Sequence, residues 1–306
     1  MDKLSLIIPV YNEEMAVPIF YNEFNKFSKN MNYVEFEVIF VIDGSKDNTY
    51  EVVKSIVAKD KRIRYILFSR NFGKDAAMYA GLKYSTGDYV TVMDVDLQDP
   101  LYLLKNMYEA VKNEGYDSAA ARRISRKGES FIRSFFADKF YKLMSKITKM
   151  EIPSGARDYR LMNRKMVNSV LEVQERVRFL KGIYAWVGYN TKWIDYENVK
   201  RDIGKTQWSF WALFKNYIIG ILAFSNIPIF LGIILGSILC IIALILILIS
   251  ILGDSINKLL IISSLIFFIG GLQLIFISVV GVYVGKIYIE VQNRPVYIVK
   301  ETNDLI

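Results

Sequence analysis

The chain has 306 residues, of which 53% are hydrophobic, and it carries a net charge of +8. It has no histidine and one cysteine, Cys240, which excludes a Ser-His-Asp triad, a histidine-ligated metal site and an intrachain disulfide. The length fits one large domain or two smaller ones. The positive charge suits nucleic acid, anionic lipid or a phosphorylated substrate. Because the apolar runs described below indicate a membrane protein, we expect no nucleic-acid partner.

Short apolar segments alternate with amphipathic ones over the first 125 residues. Four segments are β-branched and largely apolar, as strands buried on both faces should be: "KLSLIIPVY", "EFEVIFVID", "RIRYILFS" and "DYVTVMDVD". Helical patterns cover about 15–29, 48–59, 74–85 and 100–114. This rhythm predicts an α/β fold with a parallel sheet that is covered by helices on both faces.

A polar cluster follows each of these four strands. The clusters are "PVYNEE", "DGSKDNT", "SRNFGK" and "DVDLQDP". Any one of them fits an ordinary turn, since "DGS" is a good turn sequence and Ser45 or Asp47 could cap the next helix. Ligands of such sheets bind at the carboxyl ends of the strands. Four clusters at the same rim therefore favour a binding site over four unrelated turns.

The fourth cluster crowds carboxylates together. Asp94 and Asp96 are two residues apart, so in an extended chain they point to the same side. Two adjacent carboxylates repel each other unless a cation lies between them. Mg²⁺ takes one or two protein carboxylates and completes its shell with water and phosphate oxygens, and Gln98 could add a neutral oxygen. Asp99, before Pro100, either belongs to this site or caps the following helix.

Basic and aromatic residues follow the predicted sheet. "AARRISRKGESFIR" supplies arginines that could bind phosphate bidentately, or could form a solvated loop attracted to anionic lipid. The segments 130–147 and 208–224 are amphipathic, basic and aromatic. This composition suits the membrane–water interface. The alternative is a helix that packs on the sheet with a solvated basic face.

Two runs, 227–252 and 259–285, contain no charged residue. Each exceeds the ~20 residues that cross the hydrocarbon core, so we predict a two-helix transmembrane hairpin joined by "GDSINK"; the alternative is a buried hairpin. Basic residues flank the outer ends, which places both termini in the cytoplasm. The start of the chain lacks a signal-peptide pattern.

Together, "SLIIPVYNEE", "DGSKDNT", "SRNFGK", "DVDLQDP", "DYRLMNR" and "IYIEVQNRPVY" resemble the polyprenyl-phosphate glycosyltransferases of glycosyltransferase family 2. The chain is most similar to the bacterial bactoprenol (undecaprenyl-phosphate) glucosyltransferases. The resemblance implies a nucleotide-diphospho-sugar-binding GT-A fold on the cytoplasmic side. It also implies inverting transfer of a sugar to a polyprenyl phosphate, a Mg²⁺ or Mn²⁺ cofactor, UDP-glucose as the expected donor, and a homo-oligomer.

The resemblance also assigns roles to residues. The nucleotide pocket would be lined by Pro9, Tyr11, Asn12, Glu13, Asp43, Arg70, Lys74 and Asp94. The metal would be held by Asp96 and Gln98, with Asp94 beside them. Arg122 and Arg133 would bind the acceptor phosphate, and Asp158 would orient it or accept a proton. The alternative is that Asp158 only pairs with an arginine, since Arg157 stands before it where relatives tend to have Gly. Ile42 departs from the family, which has Asp or Asn before "DGS", and this leaves the nucleotide identity open.

The implied organisation is a GT-A domain at 1–204, an interfacial segment at 205–226, membrane helices at 227–252 and 259–285, and a cytoplasmic tail at 286–306. The protein would be a multi-pass protein of the plasma membrane. The tail segment "VYIVKE" has strand character and would close a sheet edge in its own subunit or in a neighbour. One alternative is a processive polysaccharide synthase. Such enzymes carry a QxxRW motif, which the segment "QERVRF" of this chain does not match. The other alternative is a non-catalytic nucleotide-binding scaffold.

Overall fold

The computed structural model describes residues 1–124, 153, 155–176, 178–197 and 258–303. Its strands are β1 (Asp2–Val10), β2 (Val34–Ile42), β3 (Ile63–Phe68), β4 (Tyr89–Val92), β5 (Ser118–Arg123), β6 (Ala156–Asn163), β7 (Thr191–Tyr196) and β8 (Val299–Thr302). Its helices are α1 (Ala16–Ser28), α2 (Thr49–Val57), α3 (Lys74–Tyr84), α4 (Leu103–Lys112), α5 (Arg164–Glu172), α6 (Leu180–Trp186) and α7 (Lys258–Val291). Arg133, the helix predicted at 130–147, the interfacial segment 205–226 and the first predicted span, 227–252, lie outside the described residues.

The described strands form one eight-stranded sheet in the order β7-β5-β6-β4-β1-β2-β3-β8. The first four strands pair in parallel, as predicted. The prediction of a parallel sheet is wrong for the sheet as a whole, because β6 runs antiparallel between β4 and β5, and β8 runs antiparallel beside β3. The direction of β6 has a consequence for function, since its first residues lie at the rim where β4 ends.

The core is built on both faces of the sheet, as the continuous apolar strands require. On one face, α1, α2 and α4 cover a cluster that includes the fully buried Leu6, Phe20 and Phe40. On the other face, α3 packs against β1. The contact is so close that a Cβ atom on Gly81 would lie 2.2 Å from the side chain of Ile7. This packing fixes α3, whose first residue is Lys74, against the centre of the sheet.

The tail after Pro295 returns to the sheet of its own chain. β8 pairs with β3 in the antiparallel direction, and Ile66 of β3 lies opposite Thr302 of β8. The Tyr297 ring stacks on Phe68, with centroids 4.9 Å apart. The carboxylate of Glu301 accepts hydrogen bonds from two tyrosine hydroxyls of the sheet and α2. Of the two alternatives for the tail, the structure therefore has the one that closes an edge within the subunit.

The chain divides into two compact units, Met1–Phe214 with Pro295–Ile306, and Lys215–Arg294. In the second unit, the described residues include the 34-residue helix α7. No helix within the described ranges combines the length and the apolar character that crossing a membrane requires. The predicted transmembrane hairpin is therefore not confirmed.

Candidate active site

The loops after β1 and β2 brace each other through side chains. Asn12 adopts a left-handed backbone conformation, with φ of 54°. Its side-chain oxygen accepts a 2.8 Å hydrogen bond from the Lys46 backbone N–H, and its own N–H donates to Ser45 Oγ at 3.1 Å. The backbone N–H of Glu13 donates to Thr49 Oγ1 at 2.9 Å. The first two polar clusters thus form one braced platform, and Tyr11 within it is half-buried.

The loop after β3 is locked to the loop after β2. The buried Asp43 carboxylate accepts hydrogen bonds from the backbone N–H groups of Phe72 and Gly73, at 2.6 and 2.9 Å. Burial raises the pKa of Asp43, and these two hydrogen bonds oppose that shift. Next to it, a Cβ on Gly44 would lie 2.3 Å from the backbone carbon of Arg70. Asp43 therefore shapes the predicted nucleotide pocket by holding the loop that carries Arg70.

Pro9 and Arg70, two other predicted pocket residues, lie at the same rim. Pro9 pairs with Val41 in the last part of β1. Arg70 is exposed, and its guanidinium lies over the Phe72 ring at 4.0 Å from the centroid. The residue that departs from the family pattern, Ile42, ends β2 and is completely buried, so its side chain packs in the core and offers no polar group to a nucleotide.

Lys74 joins two carboxylates that come from different strands. Its Nζ lies 2.5 Å from Asp94 Oδ1 and 3.0 Å from Asp158 Oδ2. The register of β4 and β6 ends at the pair Val92–Arg160, and Asp94 and Asp158 each lie two residues beyond that pair. Because β6 runs antiparallel to β4, Asp158 lies at the rim of the sheet next to the predicted metal ligands.

The charges of this cluster stabilise each other. Burial alone would lower the pKa of Lys74, but Asp158 and Asp94 raise it well above its ordinary value. Burial alone would raise the pKa of Asp158, but Lys181 and Lys74 hold it far below its ordinary value. Asp158 is therefore an ionised carboxylate, and its position rather than its basicity is what the fold provides.

The predicted metal ligands Asp96 and Gln98 lie in a tight turn after β4. Asp96 Oδ1 accepts a 3.2 Å hydrogen bond from the Gln98 backbone N–H, and Leu97 between them has φ of 54°. Val95 is 4% exposed and belongs to the core cluster. Among the described residues, no group of three or more acidic, histidine or cysteine side chains could enclose a metal ion. The oxygen donors of Asp94, Asp96 and Gln98 instead fit a Mg²⁺ or Mn²⁺ ion that takes its remaining ligands from water and a diphosphate.

Asp99 anchors the turn. It is 2% exposed and accepts hydrogen bonds from Arg157 Nε, at 3.2 Å, and from the Tyr196 hydroxyl. Helix α4 begins later, at Leu103, and its first turn has no side-chain cap. The interpretation of Asp99 as a helix cap is therefore wrong. Arg157 pairs with Asp99, and Asp158 accepts its hydrogen bond from Lys74.

One of the two arginines expected to bind the acceptor phosphate, Arg122, pairs with a carboxylate outside this cluster. Arg122 forms a bidentate ion pair with Asp195, through Nε at 2.5 Å and Nη2 at 2.7 Å. This pair links β5 to β7. Arg133 lies outside the described residues.

Two residues of the cluster were not predicted. Lys181, in the first turn of α6, lies 3.7 Å from Asp158 Oδ1 through its Nζ. Asp75 lies next to Lys74, and burial together with the charge of Asp158 raises the pKa of Asp75 to about 6. Asp75 adjoins the "SRNFGK" cluster, which could have drawn attention to it. Nothing in the local sequence of Lys181 indicates that α6 packs beside Asp158.

Comparison with known proteins identifies the family. Residues 5–171 match the family "Glycosyl transferase family 2". The chain is 37% identical over 303 residues to the "Prophage bactoprenol glucosyl transferase homolog" of Escherichia coli (strain K12), covering 97% of this chain and 98% of that protein.

Two solved structures have a similar fold. One is the mannosyltransferase PcManGT from Pyrobaculum calidifontis in complex with GDP-Man and Mn²⁺, with a TM-score of 0.52, 15% identity, and coverage of 72% of this chain and 64% of that chain. The other is glucosyl-3-phosphoglycerate synthase from Mycobacterium tuberculosis in complex with Mn²⁺, UDP-Glc and phosphoglyceric acid, with a TM-score of 0.51, 17% identity, and coverage of 72% and 79%. The predicted resemblance is confirmed: this chain is a glycosyltransferase with a GT-A-like α/β fold and belongs to glycosyl transferase family 2.

Proposed function

We propose that this enzyme transfers glucose from UDP-glucose to a polyprenyl phosphate, with inversion and with Mg²⁺ or Mn²⁺ as cofactor. The observation that carries the proposal is the position of Lys74 between Asp94 and Asp158. The Lys74 ammonium group contacts Asp94, which we assign to the donor side, and Asp158, which we assign to the acceptor side. A donor sugar and an acceptor phosphate that meet at this point would be held for in-line attack, which is catalysis by positioning and electrostatics.

On the donor side, Asp94, Asp96 and Gln98 would hold the cation. When bound, the cation would neutralise charge on the departing diphosphate. The platform of the first three loops would hold the nucleotide against the sheet rim. The relatives solved with UDP-Glc or GDP-Man and Mn²⁺ support a nucleotide-sugar donor with a divalent cation.

On the acceptor side, the nucleophile needs little help from a base. A phosphate monoester has a second pKa near ~6 and is mostly dianionic at neutral pH. An ionised Asp158 whose pKa is far below its ordinary value is a weak base. Asp158 would therefore act by orienting Lys74 and Lys181, whose ammonium groups would attract the acceptor phosphate.

The acceptor would be a lipid at the cytoplasmic face of the plasma membrane. The name of the Escherichia coli relative, a bactoprenol glucosyl transferase homolog, supports a polyprenyl phosphate. The two uncharged runs, 227–252 and 259–285, with basic residues at their outer ends, support membrane attachment with both termini in the cytoplasm. The product would be a lipid-linked sugar that donates to a cell-surface glycan. Assembly as a homo-oligomer remains a prediction.

A panel of donors tests this proposal. The purified full-length protein is incubated with polyprenyl phosphate, Mg²⁺ or Mn²⁺, and one of several UDP- or GDP-sugars, and the lipid products are identified by mass. We expect a single hexose on the lipid with UDP-glucose and no release of free glucose. A polymeric product, or no lipid-linked sugar from any donor while a related enzyme is active in the same assay, contradicts the proposal.

A further inference from the structure

A cavity lies beside the site, between α6 and the strands β6 and β7. Its volume is about 240 Å³, well above the roughly 10–15 Å³ that one water needs. Its polar and aromatic lining includes Arg160, Lys181, Tyr184, Tyr189, Thr191 and Trp193. The cavity and the Asp158 cluster share Lys181, so the two sites adjoin.

Arg160 is a buried cation in the lining of this cavity. It is 7% exposed, and no ion pair reaches it from the described part of the chain. Its Nη1 donates to Ser118 Oγ at 3.1 Å and to Thr191 Oγ1 at 3.2 Å. Its guanidinium lies near the rings of Tyr184 and Trp193, 4.9 and 5.4 Å from their centroids. Burying an uncompensated charge costs several kcal/mol, so this arrangement calls for an anion.

Two side chains that line the cavity carry polar atoms whose hydrogen-bonding capacity is not used by the described residues. Arg160 Nε and the Tyr184 hydroxyl are both buried and have no hydrogen-bond partner among the described residues. Both belong to side chains that line the cavity. Lys181 adds an ammonium group, which donates to the Ala156 carbonyl at 3.2 Å and lies 3.7 Å from Asp158. The lining therefore supplies donors and positive charge, which is the chemistry that recognises phosphate.

We propose that this cavity binds a phosphate monoester through Arg160, Tyr184 and Lys181. A guanidinium and an ammonium group suit the two charges of a phosphate dianion. Binding at Lys181 would place the phosphate next to Asp158. The phosphate could belong to the headgroup of the lipid acceptor, an assignment that rests on the proposed function, or to a free phosphate in solution.

The test measures binding and thermal stability of the full-length protein in phosphate-free buffer. The probes are inorganic phosphate and a short-chain prenyl phosphate, and the variants are Arg160→Met and Tyr184→Phe. Without ligand, Tyr184→Phe should be at least as stable as the wild type, because it loses a buried hydroxyl that has no partner among the described residues. In Arg160→Met, the loss of a buried charge should offset the loss of the hydrogen bonds to Ser118 and Thr191, so its stability should change little. With ligand, we expect binding to weaken about tenfold in Tyr184→Phe and about a hundredfold or more in Arg160→Met.

Arg62→Met is the matched control, since Arg62 pairs with Asp60 away from the cavity and its loss should leave phosphate binding unchanged. Weaker binding of both probes in the two cavity variants assigns the site to phosphate groups in general, free or esterified. Weaker binding of prenyl phosphate alone assigns it to the lipid headgroup. If the wild type binds neither probe, or if both variants bind as the wild type does, the proposal is overturned. Because no glycosyl transfer is measured, failure here is distinguishable from failure of the proposed function.

Discussion

Lys74 donates a 3.0 Å hydrogen bond to Asp158, which ties the first turn of α3 to strand β6. The same ammonium lies 2.5 Å from Asp94. Three distant parts of the chain therefore meet at one side chain. The cluster holds two carboxylates near each other before any metal or substrate arrives, because the lysine offsets their repulsion.

Replacing Lys74 by methionine should damage both activity and stability. The substitution leaves Asp94 and Asp158 without their shared cation, which we expect to cost about 1–3 kcal/mol for these partly exposed groups and at least a hundredfold in transfer rate. Lys74→Arg, which keeps the charge, should retain more of both. Initial rates and the free energy of unfolding are the measurements, and a rate within twofold of the wild type in Lys74→Met would contradict the assignment.

Gly44 should tolerate no side chain. It has φ of +63°, and a Cβ there would meet the Arg70 backbone at 2.3 Å. Gly44→Ala should therefore separate the loops after β2 and β3 and raise the KM for the nucleotide sugar about tenfold or more. Gly115→Ala is a matched control, because Gly115 also has a positive φ, +80°, but faces open space. Equal KM values for the two variants would contradict this explanation, because they would attribute the effect to backbone strain and not to the contact between the loops.

Glu37 should make stability depend on pH. Burial would raise its pKa, but hydrogen bonds from Ser5 and Thr86 and the charge of Arg64 lower the pKa from 4.5 to about 2. Because the folded-state pKa is the lower one, this carboxylate stabilises the fold above pH 4.5, and the contribution is lost as the pH falls towards 2. A shift of this size corresponds to about 3 kcal/mol.

Urea unfolding of Glu37→Gln at several pH values measures this contribution. The variant should be less stable than the wild type at pH 7, and the difference should shrink between about pH 4.5 and 2. Glu35→Gln is the control, since Glu35 is exposed on the same strand. A difference between Glu37→Gln and the wild type that stays constant over this range would contradict the account.

The sequence predicted the rim of the site better than its interior. Asp94 and Asp96 could be located because each strand of the βαβ alternation must end at the same edge. Hydrophobic alternation carries no information about strand order, so the insertion of β6 between β4 and β5 was not predictable from it. The partners of Asp99 and Asp158 depend on that insertion. This is why the sequence left Arg157 as a candidate partner of Asp158, whereas the structure pairs Arg157 with Asp99.

Asp43 and Arg122 illustrate the same limit. Both are polar residues at strand ends, and the resemblance assigned both to substrate binding. In the structure the Asp43 carboxylate accepts two backbone N–H groups, and Arg122 pairs with Asp195. The spacing of residues along the chain did not predict these contacts, and substrate binding by Asp43 and Arg122 stays a prediction.

The most direct test of the central claim is the rate of lipid-linked glucose formation by Asp96→Asn, compared with the wild type over a titration of Mn²⁺ or Mg²⁺. The substitution removes the charge of the proposed metal ligand and keeps an oxygen that can accept the hydrogen bond from Gln98. We predict a loss of at least a hundredfold that added metal only partly restores, with an unchanged free energy of unfolding. Transfer at the wild-type rate and with the wild-type metal dependence would contradict the assignment of Asp96 and, with it, the proposed site.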